Sequence, residues 1–193
     1  MCIGHVLSTG GVRLIRFFVA LRIGAMALFC GLQAQPVNIV AWGDGSSGQT
    51  NIPPSFTNII ALATGDSFGL ALRNDGTVAN WGSPPFGIGI PTGLSNVVQI
   101  AVGQLNSMAL RSDGTLVAWG YDAYQLSEVP PDVTNVVAVA GGGYHTLALL
   151  ADGTVRAWGL GTFGEVSVPA GLTNVVALTG GGYFSAALKA DGT

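Results

Sequence analysis

The chain has 193 residues, enough for one or two ordinary domains, with 30 glycines, 49% hydrophobic residues and only 9% charged residues. So little charge beside so much apolar content excludes a disordered chain, and glycine without a Gly-X-Y period excludes collagen and points to many tight turns. Beyond residue 36 the chain holds Arg73, Arg111, Arg156 and Lys189 against ten acids, a net charge of −6. That balance leaves no electrostatic footprint for nucleic acid and no basic patch for an anionic membrane.

Residues 1–35 contain Arg13, Arg16 and Arg22, then an apolar run from Ile23 to Leu32 and the small residue Ala34. A basic region, a short apolar region and a small residue make a secretory signal, so the mature chain is expected to be secreted, periplasmic or held at the cell surface. The alternative is an uncleaved anchor over Leu14 to Leu32, which Arg16 and Arg22 interrupt at a high cost in lipid. Cys2 and Cys30 both lie in this leader, so a trimmed chain has neither a disulfide framework nor a thiolate metal site.

From residue 36 to 193 the chain repeats. Trp42, Trp81, Trp119 and Trp158, each followed by Gly, recur at intervals of 39, 38 and 39. Asp75, Asp113, Asp152 and Asp191 each open Asp-Gly-Thr, and Asn58, Asn96, Asn135 and Asn174 close their units. Such a period means a solenoid or a propeller. The units are a second half over 37–58, full units over 59–96, 97–135 and 136–174, and a first half over 175–193.

Local chemistry separates the two architectures. Val136 to Ala140 is apolar and largely β-branched and ends at glycines, as a buried strand does. His145 to Leu150 and Val155 to Trp158 read as second and third strands. Asp152-Gly153 between them suits a type I′ hairpin, with positive φ at both central residues. Glu165 to Val168 reads as a short fourth strand before the edge residue Pro169. No segment after residue 36 has helical periodicity. The fold class is therefore all-β: a β-propeller, whole or partial, of about four four-stranded antiparallel blades.

The run Val139-Ala140-Gly141-Gly142-Gly143-Tyr144-His145-Thr146-Leu147-Ala148-Leu149, with Asp152-Gly153-Thr154 and Trp158-Gly159, resembles the regulator of chromosome condensation repeat. The resemblance covers residues 37–193 and implies a β-propeller, commonly of about seven blades. The short period and the opening Val40-Ala41-Trp42-Gly43 look most like a secreted bacterial branch, to which the propeller-type β-lactamase inhibitory protein belongs. The family's His column reads Phe68, Asn106, His145 and Phe184, and nothing matches a projecting wedge for displacing a nucleotide. A small GTPase is thus not expected as partner. A homodimer, or a longer parent chain, is expected to complete the ring, because an open arc leaves strand edges unpaired.

In such a blade the Asp-Gly-Thr turns and the links ending in Asn emerge at one end, and they scarcely vary. The loops at the other end differ from unit to unit, where recognition on a repeated scaffold usually sits. They carry Phe68, Phe86, Tyr121, Tyr124, Tyr144, His145, Phe163 and Tyr183, the candidate binding face. These aromatics either meet a partner or fold down onto the next blade; both readings stand at this point.

Motifs for catalysis fail in context. Gly65-Asp66-Ser67-Phe68-Gly69 fits a nucleophile elbow but has no helix after it, and the only His past the leader is His145. Gly159, Gly161 and Gly164 spell a dinucleotide fingerprint that runs into a strand. No cofactor, metal site or enzymatic activity is expected. The expected function is an exported, non-catalytic binding or scaffold module, with an unknown extracytoplasmic protein or glycan as partner. An inhibitor of an extracytoplasmic enzyme is the alternative. A carbohydrate-active enzyme would need paired carboxylates, for which only Asp44, Asp66, Asp122, Glu128 and Glu165 lie near the variable loops.

Overall fold

The computed structural model describes residues 39–84 and 87–192, so the expected leader, both cysteines and Phe86 lie outside the described residues. Among the described residues eleven strands form four antiparallel sheets. The first is β1 (Ile59–Thr64), β2 (Phe68–Arg73) and β3 (Val78–Gly82); the second is β4 (Val97–Val102), β5 (Asn106–Arg111) and β6 (Leu116–Gly120). The third is β7 (Val136–Gly141), β8 (His145–Leu150) and β9 (Val155–Gly159); the fourth is β10 (Val175–Gly180) with β11 (Ser185–Lys189). Neighbours within each sheet follow chain order, as in the up-and-down blade of a propeller.

Each full unit forms three strands where four are expected. Residues 161–168 close on themselves instead, with turn bonds from Gly164 N to Gly161 O and from Ser167 N to Gly164 O. Those groups are then not offered to β9, and Pro169 has no N–H to offer. Val40 to Gly43 likewise forms no strand among the described residues, and Trp42 is 86% exposed.

The hairpins differ from the expected type I′ turn. Gly76, Gly114 and Gly153 have φ of 77°, 82° and 80°, but the preceding aspartates have no positive φ. Gly153 N bonds Leu150 O, and Leu150 N bonds Thr154 O, which makes a type I turn followed by a left-handed glycine. The Asp side chain decides the outcome. Asp152 Oδ1 accepts from Thr154 N at 2.9 Å and from Thr154 Oγ1 at 2.6 Å, and Asp75 and Asp113 repeat the pair with Thr77 and Thr115. These bonds to the charged form, the hydroxyl first and the amide second, hold all three carboxyls below the ordinary Asp range.

The Asn column has its own cause. Asn58, Asn96, Asn135 and Asn174 adopt φ of 57°, 57°, 53° and 58°, the left-handed region that Asn tolerates. Each carbonyl accepts from the turn of the unit that follows, as Asn58 O does from Asn74 N and Asn135 O from Ala151 N, both at 2.9 Å. The next residue bonds the turn of the unit before, as Val97 N does Gly76 O at 3.0 Å. The link residues at the hairpin end are thus bonded to the turns of the units on both sides.

Apolar residues fill the spaces between blades. Phe68, Leu70 and Leu72 alternate along β2 and face β4, Ala109 and Trp119 of the next unit. Met108, Leu110, Val139, Ala148 and Trp158 repeat the arrangement one unit on. Each buried Trp therefore packs against the unit before it, where burial of a large aromatic contributes most. First strands meet closely: a Cβ on Gly141 would lie 2.4 Å from Val102 O, and one on Gly180 would lie 2.6 Å from Gly141 O. Only glycine permits that approach.

Candidate functional site

The variable loops emerge at the end opposite the hairpins. They join first to second strands over residues 65–67, 103–105, 142–144 and 181–184, and leave third strands over 83–84 with 87–89, 121–127 and 160–166. Four of the aromatics expected there form one row. Tyr124 meets Tyr144 at a centroid distance of 6.2 Å, Tyr144 meets Tyr183 at 6.0 Å, and Tyr183 meets Phe163 at 5.2 Å. Two of the contacts are edge-to-face, the arrangement aromatic quadrupoles favour. Tyr124 and Tyr183 are both 53% exposed and Phe163 is 70% exposed, so the row touches itself and still faces solvent. Tyr144 is half-buried and Tyr121 is exposed. Both sequence readings meet here: the rings pack across units and remain open on one side.

Phe68 and His145 do not belong to that exposed face. They are 2% and 0% exposed, because each opens a second strand on the side that carries the leucines into the space between blades. Phe184, in the same column, is 64% exposed.

Beneath the row lies a polar latch. His145 Nε2 is 2.9 Å from Ser185 Oγ, and Ser185 Oγ donates to Glu165 O at 2.7 Å. The hydroxyl proton is thereby committed to the carbonyl, so the imidazole donates through Nε2. Burial holds the His145 pKa below its ordinary value, against the opposing pull of Glu165. One unit earlier Asn106 Nδ2 bonds Thr146 Oγ1 at 3.0 Å and Leu126 O at 3.2 Å. Asn does the same work as His, so the bond joins blades; an amide cannot serve as a general base. The Ser-His-acid grouping at residues 185, 145 and 165 is therefore structural. The hydroxyl column Ser107, Thr146 and Ser185 was the signal for it in the sequence.

Glu165 is 5% exposed. Its Oε2 accepts from Phe163 N at 2.7 Å, while Oε1 is buried with no hydrogen-bond partner among the described residues. The residue lines a cavity of about 380 Å³ together with Phe163, Tyr183, Phe184 and Ser185. Gln49, Ile88 and Leu126 occupy the matching position in the earlier units, so the acid stands there in this unit alone. Asp122 shapes the Tyr124 loop by accepting from Ser127 N at 3.0 Å, and Tyr124 and Gln125 have φ of 64° and 58°.

The elbow-like Ser67 donates its hydroxyl to Ser83 O at 2.8 Å, a bond between two loops of one blade. No group of three or more His, Cys, Asp or Glu among the described residues has the spacing to hold a metal.

Stacked antiparallel blades with uniform turns at one end and unlike loops at the other define a propeller-type repeat protein. Residues 97–125 and 136–165 match the Regulator of chromosome condensation (RCC1) repeat. Those two stretches are similar to that repeat and make up less than half of the chain. No curated protein matches it in sequence. The entire ectodomain of the receptor kinase CR4 from Physcomitrella patens is similar in fold, with a TM-score of 0.65 and 24% identity over 78% of this chain and 43% of that one. Prp20p from Saccharomyces cerevisiae gives 0.62 and 19% over 76% of this chain and 50% of that one. Yeast RCC1 (Prp20) bound to Kap60 gives 0.61 and 24% over 72% and 44%. The chain thus spans about half the length of these structures. They lie in a moss and a yeast and do not single out a secreted bacterial branch.

These neighbours correct the expected partners. An extracytoplasmic protein or glycan has no support among them. The exclusion of a small GTPase does not hold for the fold either, since Prp20p is described by its binding properties to Gsp1p and histones. A missing wedge in one stretch of loops says nothing about partners taken elsewhere on a propeller face.

Proposed function

We propose that the chain is a non-catalytic propeller module that binds protein through its variable-loop end. The observation that carries this reading is the row Tyr124, Tyr144, Tyr183 and Phe163, assembled from three units and exposed at Tyr124, Tyr183 and Phe163. Rigid aromatic rings on a pre-formed scaffold offer large contact area at little entropic cost, which is why they dominate binding hot spots. Placing two groups of the Ser-His-acid set in backbone-directed bonds supports a binding role over hydrolysis.

The test is affinity capture from a lysate of the source organism with the full chain and with Tyr124→Ala, Phe163→Ala and Tyr183→Ala, each checked for unchanged circular dichroism. Loss of the same captured protein in the variants supports the reading. Equal capture by all three overturns it. Export is a separate proposal that rests on the residue pattern of 1–35. The mass of the mature chain tests it: removal of the leader near Ala34 supports export, and an intact leader counts against it.

A further inference from the structure

Asp-Gly is the dipeptide in which an aspartate most readily attacks its own backbone, because glycine has no Cβ to shield its nitrogen. The chain holds five: Asp44-Gly45, Asp75-Gly76, Asp113-Gly114, Asp152-Gly153 and Asp191-Gly192. A hydroxyl residue follows each one, at Ser46, Thr77, Thr115, Thr154 and Thr193. Wherever that residue is described, it clasps the aspartate. Asp75, Asp113 and Asp152 accept the Thr hydroxyl at 2.6, 2.7 and 2.6 Å and the Thr amide at 2.9 Å. Asp44 accepts the Ser46 amide at 3.0 Å and hydroxyl at 2.9 Å, although no strand flanks it among the described residues. The clasp goes with Asp-Gly and not with Asp alone. Asp132 has Thr134 at the same spacing, yet its carboxylate pairs with Arg156 at 3.0 Å. Asp66 turns to Gln104, and Asp122 to Ser127.

The chemistry at stake is cyclisation. A bond forms between the Gly nitrogen and the aspartate Cγ, and the carboxyl OH leaves with the amide proton as water. The product is a five-membered succinimide. Water then opens the ring at either carbonyl and gives back aspartate or leaves isoaspartate, whose backbone runs through Cβ. One water leaves and one returns, so no oxidant or other reactant enters. The step needs a protonated carboxyl, because a carboxylate has no OH to lose. It needs the Gly nitrogen free, and that nitrogen must eclipse Cβ about the Cα–C bond. The hairpins oppose all three. The Thr bonds favour the ionised carboxylate. Gly76, Gly114 and Gly153 donate their N–H to the carbonyls of Arg73, Arg111 and Leu150, each at 3.0 Å. A type I turn holds its third residue, here the aspartate, away from the eclipsed form.

We infer that the Thr of each Asp-Gly-Thr turn keeps its aspartate from cyclising, so that Asp75, Asp113 and Asp152 are latent isoaspartate sites, opened when the clasp is lost. Every bond of the clasp lies within one turn, so each site is complete in a single unit. Conversion would reach the next unit as well. Gly76 O, Gly114 O and Gly153 O accept from Val97 N, Val136 N and Val175 N, and an extra backbone atom in the turn displaces those carbonyls.

The full chain, Thr154→Val, which keeps the shape and the amide without the hydroxyl, and Thr154→Ser are held folded at neutral pH in heavy-oxygen water. Isoaspartate at each turn is then read by peptide mapping with fragmentation mass spectrometry. Thr154→Val is expected to convert Asp152 roughly tenfold faster than the parent, as loss of a hydrogen bond to a charged group allows. Asp75 and Asp113 in the same molecules should stay at the parent rate, and Thr154→Ser should match the parent at Asp152. The parent in denaturant should convert all three faster than the folded parent. An unchanged rate at Asp152 in Thr154→Val overturns the inference. So does an equal rise at Asp75 and Asp113, which would follow from a loosened fold, and so does a denatured parent that converts no faster than the folded one.

Discussion

At the hairpin end every unit solves the same problem with the same residues. A left-handed Asn closes the link, a left-handed Gly closes the turn, and an Asp holds the Thr two residues on. At the loop end corresponding positions hold different residues. The position of Leu126 holds Glu165, and that of Asn106 holds His145. The first end satisfies backbone groups and joins blade to blade, so change there is felt in stability. The second end is relieved of that duty except in the buried latch, so its exposed rings are free to meet a partner. The contrast teaches that repetition marks structural constraint and departure from repetition marks the site.

The largest expected effect breaks the shared scaffold beneath both ends. Gly141→Ala puts a Cβ against the Val102 carbonyl, where backbone stands on both sides and neither strand can yield. A loss of about 3 kcal/mol or more is expected, read as a lower denaturation midpoint. A midpoint within experimental error of the parent would mean that the first strands do not approach as described. Next comes the hairpin end alone. Gly153→Ala, at φ 80° and with Asn174 N only 3.2 Å from the new Cβ, should cost about 1–2 kcal/mol and leave partner capture unchanged. Tyr183→Ala should do the reverse, within about 0.5 kcal/mol of the parent in stability while capture is lost. Any other pairing of those outcomes dissolves the division between the two ends.

A smaller effect concerns the latch. The folded-state pKa of His145 is held below that of a free imidazole, which is about 6.5. In the window between those values the unfolded chain binds the extra proton, so stability is full above about pH 6.5 and declines as pH falls through the window. His145→Asn should keep the link to Ser185, as Asn106 does to Thr146, and remove that decline. Melting temperatures of parent and variant between neutral and mildly acidic pH measure it, and parallel curves would show that His145 is not the group responsible. The turn aspartates act further down. Their pKa values are also lowered, so their contribution is present above about 3.8 and is lost as pH falls below it.

Much of the blade was legible because burial imposes a period. Tryptophan at 39, 38 and 39 residues, with strands ending at glycine, required stacked units whatever their number. The alternation of Phe68, Leu70 and Leu72 along one strand also carried the direction of Phe68, which points between blades and not into solvent. The turn type was not legible, because Asp-Gly serves both a type I′ turn and a type I turn with a left-handed Gly, and the bond to Thr selects the second. The fourth strand was misread because a short apolar run before Pro has the composition of an edge strand, and only its internal turn bonds reveal otherwise. The aromatic row was legible as a set of loop residues. Their mutual contact depends on loop backbones, which no periodic pattern encodes.

One loop residue tests how far the loop end tolerates strain on behalf of its rings. Gly48, Gly87, Gln125 and Gly164 share a column, and all four have positive φ, with Gln125 at 58°. Three of them meet the requirement with glycine; Gln125 meets it with a side chain whose Cβ crowds the following carbonyl. Tyr124 beside it is also left-handed, at φ 64°, whereas Phe163 in the next unit is not. Strain of this kind persists where the surroundings over-determine it, here the bond from Ser127 N to Asp122 and the contact of Tyr124 with Tyr144. Gln125→Gly should therefore raise stability by about 0.5–1 kcal/mol, the relief of strain partly offset by the freedom glycine gains when unfolded. If the strain holds Tyr124 in place, the same variant should weaken partner capture even as the fold gains stability. A gain in stability with capture unchanged would assign the positioning of Tyr124 to its contact with Tyr144 alone.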